Sequence, residues 1–308
     1  LKPQEREEEC VELRADGDAV YDGVVDLDLS EIVPLVAYPH SPGNIKTVRD
    51  FDGMAVDQVC VGSCTNSSYI DLMTVAHILK GHKAHPNVSF VVAPGSRQVL
   101  ENITHDGGLA SFLSAGARIA ESACGFCIGN SQSPKTDAVT IRTSNRNFLG
   151  RSGTKSAQAY LTSPETAAAA VITGKMTDPR DLEDMGVAHP NIKRPTQFYI
   201  DDSMFIPPSD HPESIEVYRG PNIGDPPSST PLPEAIRGEI TIKVGDKITT
   251  DHIIPAGSKM KYRSNVPKYS EFLFEIVDPT FHDRAKSIQV AGKHNVIVAG
   301  ISYGQGSS

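Results

Sequence analysis

Three cysteines in this 308-residue chain stand where thiolate chemistry would need them. Cys64 lies in GSCTNSS (62–68), and Cys124 and Cys127 lie in ACGFCIGN (123–130), 60 residues further on. A lone Cys-x-x-Cys is shared by redox pairs and zinc knuckles. The third thiol sharpens the reading, because three thiolates are one short of closing a four-ligand centre. That number suits a 4Fe-4S cluster whose fourth iron is left open to a substrate. Two blander readings stand beside it: buried, inert cysteines, which are common, or a structural zinc with His105 or Cys60 as its fourth ligand. Cys60 falls inside an apolar run and Cys10 outside every motif, so both read as packing residues. Thr65, Asn66, Ser67 and Ser68 follow Cys64 with capping oxygens and the unpaired N–H groups of a starting helix, whose positive end favours a thiolate. Gly125 and Gly129 permit a tight path that turns both thiols of the pair toward one centre.

A second set of residues suits anions. SNRNFLGR (144–151) places Arg146 and Arg151 five apart in a polar loop, with Asn145 available to support it by hydrogen bonding. Guanidinium forks bind carboxylates bidentately, which fits a di- or tricarboxylate better than lysine does. The bland alternative is two solvated surface arginines. Further on, TTDHIIPAG (249–257) carries Asp251 and His252, either an ion-paired or proton-relay couple or, for Asp251, a simple loop cap. In YGQGSS (303–308), Gly304 and Gly306 allow the backbone to approach closely around Ser307.

Those groups need elements to position them. Residues 56–61 (VDQVCV) read as a strand ending at the Gly62-Ser63 turn, followed by a helix with Leu72, Val75, Ala76 and Leu79 on one face and Gly81 as its stop. Residues 88–93, 117–121 and 138–143 read as further strands. Ser163 and Pro164 open a helix that runs through the alanines 167–170 to Gly174. Strand–helix alternation of this kind predicts an α/β domain with a mostly parallel sheet, its chemistry in the loops at the carboxyl ends of the strands. Both cysteine segments fall there. Eight prolines between 207 and 233 describe an extended linker. After it, residues 238–244 and 295–299 bracket a second strand–loop–helix–strand pattern. The expected boundaries are 1–25 as the end of a preceding domain, 26–206 as the α/β domain, 207–237 as the linker and 238–308 as the start of another domain.

A net charge of −9 does not favour a large nucleic-acid surface. No apolar run approaches the roughly 20 residues of a membrane span, and the opening LKPQEREEEC has no signal-peptide core. Five cysteines, an odd and scattered set, look unlike a secreted disulfide framework and fit a reducing cytoplasm or organelle matrix.

Taken in order, GSCTNSS, ACGFCIGN, SNRNFLGR, TTDHIIPAG and YGQGSS resemble the aconitase family of iron–sulfur hydro-lyases, from about Leu29 to the last residue. The resemblance implies a three-layer α/β/α cluster-binding domain, then a tethered swivel β/α domain. It makes Cys64, Cys124 and Cys127 the ligands of a 4Fe-4S cluster and Arg146, Arg151 and Asn145 a substrate-binding loop. Arg263, 12 residues after Asp251, becomes the holder of the substrate's side-chain carboxylate. Ser307 becomes the base that takes a proton from carbon, and Ser308 a substrate contact. The implied activity is citrate to isocitrate through cis-aconitate, with homoaconitase or 3-isopropylmalate dehydratase as the alternative of the same mechanism. An RNA-binding regulator in the apo form is the alternative of another class. Many relatives have Pro where this chain has Phe126, a departure that bears on loop shape more than on ligation. The family carries a further arginine after Ser308 and its acid–base histidines and aspartates in N-terminal domains. The expectation is therefore a C-terminal-half fragment that needs those domains of the same polypeptide for activity.

Overall fold

Short apolar strands alternating with capped helices give this chain its first layer of order, and the computed structural model describes it for residues 2–187, 190–229, 231–255 and 257–304. The chain divides into two units, Leu1–Phe205 and Ile206–Ser308.

The first unit is built on a seven-stranded sheet. In chain order its elements are β1 (Leu35–Ala37), β2 (Ile45–Thr47), β3 (Gln58–Gly62), α1 (Tyr69–Ile78), β4 (Ser89–Ala93), α2 (Arg97–His105), α3 (Gly108–Ala115), β5 (Arg118–Ile119), β6 (Val139–Arg142), β7 (Gln158–Leu161) and α4 (Pro164–Thr173). The strand order is β2-β1-β7-β6-β3-β4-β5. The five strands from β7 to β5 run parallel, and β1 and β2 form an antiparallel edge. This is the α/β fold, with its mostly parallel sheet, that the alternation predicts.

Every residue of β3 from Gln58 to Gly62 is buried, and its Val59-Cys60-Val61 centre is apolar, as expected of a central parallel strand covered on both faces. Successive side chains still part to opposite sides. Val59 and Val61, with Phe90 and Val92 of β4, join Leu72 and Val75 of α1 and the alanines of α4 in the main core. Cys60, Val91 and Ala93 join Phe126 and Cys127 in a second cluster on the other side. Burying a side chain such as Leu72 stabilises the fold by about 1.5–3 kcal/mol. α4 follows its sequence signals: Ser163 is the N-cap, Pro164 the first residue, and Gly174 the left-handed C-cap. Gly62 sits at φ +101°, and a Cβ there would overlap the Ala93 carbonyl oxygen, so the end of β3 requires glycine.

Three features were not expected from the sequence: the β1–β2 hairpin, β7, and the pair α2 and α3. Residues 2–31 hold only short 3-10 turns, Lys2–Gln4, Glu7–Glu9 and Leu29–Glu31, and are mostly exposed.

The second unit contains β8 (Gly238–Lys243), α5 (Thr250–Ile253), α6 (Val266–Ser270), α7 (Phe281–Val290) and β9 (His294–Val298). β8 and β9 pair in parallel with an irregularity between Ile240 and Ile242. The core of this unit gathers Ile242, Val244, Ile248, Phe274 and Phe281. Among the described residues of 207–237, the one regular element is the 3-10 turn Pro212–Ser214. Among the described residues no helix is long and apolar enough to cross a membrane.

Candidate functional site

Three loops leave the carboxyl ends of the parallel strands β3, β5 and β6, where α/β sheets place ligands. The first carries Cys64. Gly62, Ser63 and Asn66 all have positive φ, so its backbone curls before α1 begins. A capping box then fixes the helix start: the Ser68 hydroxyl accepts from the Asp71 N–H at 3.3 Å, and the Asp71 carboxylate accepts from the Ser68 N–H at 3.0 Å. Cys64 is exposed, its sulfur 3.6 Å from the Thr65 hydroxyl.

The second loop carries the pair. Residues Gly125–Ile128 form a 3-10 turn with Cys124 as its N-cap and the left-handed Gly129 as its C-cap. Such a turn brings residues three apart into line. Cys127 is buried toward the sheet and Cys124 is exposed. Gly129 is needed for close approach, since a Cβ there would meet the Gly153 Cα and the Ser152 carbonyl oxygen at 2.5 Å.

The third loop, 144–151, is tied to the other two. Thr143 accepts at its hydroxyl from the Gly62 N–H (2.8 Å) and at its carbonyl from the Asn66 side-chain amide (3.0 Å). The Ser63 hydroxyl donates to the Ala123 carbonyl (3.4 Å), which links the first and second loops. Arg151 reaches back so that Nη2 lies 3.8 Å from the Cys127 sulfur. Asn147, fully buried, donates to the Ala37 and Tyr38 carbonyls at 3.3 and 3.0 Å. Asn147 thus braces this loop alongside the Asn145 expected to support it. Arg146 is half-buried, and its Nε is buried without a hydrogen-bond partner; so are the Ser144 hydroxyl and the Asn147 Oδ1. Orphaned buried polar atoms are rare in native folds and here point to a ligand.

Two more residues belong to this region. Arg142, at the end of β6, is only 1 % exposed and donates from Nη1 to the Phe126 carbonyl at 2.5 Å. Cys60 is buried beside it. Burial pushes the Cys60 thiol up, and the Arg142 charge opposes that rise. Cys60 is therefore a packing thiol, as expected. Cys10 is exposed in the N-terminal stretch. Among the described residues no three His, Cys, Asp or Glu side chains, Cys64, Cys124 and Cys127 included, lie close enough to hold a metal ion.

In the second unit, Thr249 caps α5 and its partner in the capping box is His252. The imidazole Nδ1 accepts from the Thr249 N–H at 3.1 Å, and the Thr249 hydroxyl accepts from the His252 N–H at 3.1 Å. An Nδ1 that accepts carries no proton, which places the proton of the neutral ring on Nε2. Thr249 and His252 thus close the start of α5 between them. Arg263 is exposed, just after the 3-10 turn Gly257–Tyr262. The Gly304 N–H donates to the Ile248 carbonyl (2.7 Å), so the segment leading to 305–308 passes beside the loop before α5. Ser307 and Ser308 lie outside the described residues.

Residues 2–174 match the aconitase family (aconitate hydratase). The chain is 44% identical over 173 residues to the 3-isopropylmalate dehydratase large subunit of Herpetosiphon aurantiacus, covering 56% of this chain and 41% of that one. It is 42% identical over 190 residues to 3-isopropylmalate dehydratase large subunit 1 of Methanopyrus kandleri, covering 58% and 46%. With the mitochondrial homoaconitase of Candida parapsilosis it shares 33% identity over 302 residues, covering 96% of this chain and 42% of the relative. The chain thus spans less than half the length of these relatives. The matched region begins at residue 2, ahead of the Leu29 expected from the motifs.

Proposed function

This chain belongs to the aconitase family, and on that premise we propose that it carries the metal-binding and anion-binding parts of a hydro-lyase that removes water from a hydroxy di- or tricarboxylate and returns it. The observation that carries this reading is the 3.8 Å approach of Arg151 Nη2 to the Cys127 sulfur, which joins the arginine loop to the cysteine turn.

The chemistry of the donor set, three thiols beside an arginine loop, suits an iron–sulfur centre, while among the described residues these side chains are not gathered closely enough to hold a metal ion. Cys64, Cys124 and Cys127 are free thiols on two loops bonded to each other, beside a buried guanidinium and orphaned polar atoms. That the three sulfurs close on one 4Fe-4S cluster is part of the proposal. Such a cluster supplies, when bound, a Lewis-acidic iron with an open position for the leaving hydroxyl and a carboxylate. The chain's own groups do the rest. Arg146, with Nε unpartnered, offers its fork to a substrate carboxylate. Arg151 adds a second cation at the cysteine edge of the same loop. Asn147 holds that loop against the end of β1, so the forks need not be ordered when substrate arrives. Arg263 is the candidate for the substrate's side-chain carboxylate, and Ser307 for the base that takes the proton from carbon. A serine in that role needs N–H donors around its alkoxide. His252, with Nδ1 committed to its cap, has only Nε2 to offer to solvent or substrate.

Names among the relatives favour a 3-isopropylmalate or homoaconitase-type substrate over the citrate–isocitrate pair. The partner we propose is the remainder of a longer polypeptide, since the homoaconitase aligns with both units in one chain. The test uses the full-length protein, reconstituted anaerobically with iron and sulfide, and compares turnover of 3-isopropylmalate, homocitrate and citrate. A preference of tenfold or more for one substrate assigns it, at about 1.4 kcal/mol of discrimination. Turnover of none of the three by an iron-loaded protein sinks the reading.

A further inference from the structure

Arg142 lies outside the arginine loop 144–151, yet among the described residues it is the largest fully buried side chain. Its Nε donates to the Thr140 hydroxyl at 3.2 Å, Nη1 to the Phe126 carbonyl at 2.5 Å, and Nη2 to the Gln58 Oε1 at 3.0 Å. The guanidinium carbon lies 5.8 Å from the centre of the Phe126 ring. Every one of these partners is neutral. Among the described residues no carboxylate forms an ion pair with it. A buried cation without an anion is costly, and folds normally pair it or leave it out. Here the uncompensated charge sits under the one turn that carries two candidate ligands, with Phe126 between them in the chain and Cys127 in the same buried cluster.

We propose that Arg142 is a positioning residue and the internal counter-cation of the metal–thiolate centre. Nη1 fixes the carbonyl between Cys124 and Cys127 and so sets the path that aims both thiols. The charge is matched by the negative charge the thiolates bring when the centre is loaded. Arg146 and Arg151 differ in kind, because they lie in the loop proposed to hold substrate. The proposal rests on reading the three cysteines as cluster ligands.

The test compares the full-length, anaerobically reconstituted parent with Arg142→Gln and Arg142→Lys. Iron and acid-labile sulfide per chain, the rate of iron loss to an excess of a ferrous chelator, and the midpoint potential of the centre are read on each. Arg142→Gln should shorten the lifetime of the centre by about tenfold or more, the scale seen when outer-shell support of a metal site is removed. It should also move the potential to more negative values, because a nearby positive charge favours the reduced, more negative state. Arg142→Lys should hold the potential near the parent's while still shortening the lifetime, since an ammonium cannot bridge Phe126 and Gln58 as a fork does. A glutamine variant with the parent's lifetime and potential overturns the proposal and leaves Arg142 as core packing. If Arg142→Gln does not fold, Arg142→Lys decides: a shortened lifetime supports the proposal and an unchanged one overturns it. A parent that takes up no iron and sulfide defeats the cluster reading itself, which is a different failure.

Discussion

In the first unit the candidate groups stand on loops that are bonded to one another; in the second they stand on short turns closed by local caps. Thr143 alone receives hydrogen bonds from both ends of the Cys64 loop, and Arg142 pins the Cys-x-x-Cys turn from below. Behind these loops lies the large core of α1, α4 and the parallel strands. Around α5 and α6 local caps, Thr249 with His252 and Asn265 with Lys268, stand beside longer ties such as the Phe274 N–H to the Ile253 carbonyl (2.8 Å) and the Tyr269 hydroxyl to the Pro255 carbonyl (3.1 Å). Arg263 is exposed, and several large apolar side chains of this unit, such as Ile240 and Ile301, remain open to solvent. The difference shows where preorganisation resides. Groups that must be in place before substrate arrives are backed by buried hydrogen bonds, whereas groups that only need to meet substrate are presented on lightly anchored turns.

Removing a ligand thiol gives the largest expected effect and the hardest test of the preorganised half. Cys127→Ser in the full-length protein should abolish iron binding and lower turnover by about a thousandfold or more, the scale of losing several kcal/mol of Lewis-acid assistance. Cys10→Ser should change neither, because Cys10 is exposed and outside the three loops. Full iron content in Cys127→Ser would mean that the rigid loops serve some other end. Next come the arginines, one from each unit. Arg146→Lys should lower kcat/KM by about 10–100-fold, because a point charge cannot replace a bidentate fork in a fixed loop. Arg263→Lys, on an exposed turn, should act mainly by raising KM. Equal effects of the two on kcat would erase the distinction between the halves.

His252 offers a smaller and sharper discrimination. If its imidazole serves as the cap that the 3.1 Å bonds describe, His252→Gln should cost the second unit about 1 kcal/mol, the usual worth of a cap, and leave kcat within a few-fold. A proton relay would instead lose about 10²–10⁴ in kcat with little change in stability. Denaturant midpoints and turnover measured on the same preparation separate the two.

How far these features could be read from the sequence depended on the range of the interactions that fix them. β3 was legible because burial on both faces leaves an apolar run, and α4 because Ser163, Pro164 and Gly174 are local signals. The cysteine and arginine motifs were legible as residue types at fixed spacings. Arg142 was not: in VTIRT it looks like a solvent-facing strand residue, and its burial depends on Gln58, 84 positions away. The bracing by Asn147 rests on carbonyls 110 and 109 residues distant. The β1–β2 hairpin escaped notice because each strand has three residues, with Leu35 and Ile45 both exposed. His252 pointed to proton transfer by its residue type, whereas its role as a cap partner appears only once the backbone around Thr249 is seen.

Acid gives the mildest contrast between the units. In the first, Asp178 is buried and caps the 3-10 turn Pro179–Met185; its carboxyl is held below the usual range first by the hydrogen bond from Arg180, with the Arg49 charge adding to it. In the second, hydrogen bonds from Arg284 and Thr280 pull Asp278 down to about 2. Both folded values lie below the ordinary value near 4, so both contributions are fully present above about pH 4. Each is lost as pH falls through the folded value, which for Asp278 places the loss between about pH 4 and pH 2. Asp178→Asn keeps the capping oxygen and removes the charge, and should cost roughly 1.5–3 kcal/mol at neutral pH, the range of a charge-assisted hydrogen bond. That difference from the parent should shrink toward zero at low pH, where the parent's carboxyl is itself neutral. Asp278→Asn should show the same direction of pH dependence in the second unit. Hydrogen exchange read separately on peptides of α4 and of α7 reports each unit in one experiment. With the smaller core behind it, α7 should lose protection first as pH falls, and in Asp278→Asn that early loss should flatten while α4 is unchanged. Simultaneous loss in both helices would show that the two units unfold as one body, and the comparison between a braced and a lightly anchored half would no longer describe their stability.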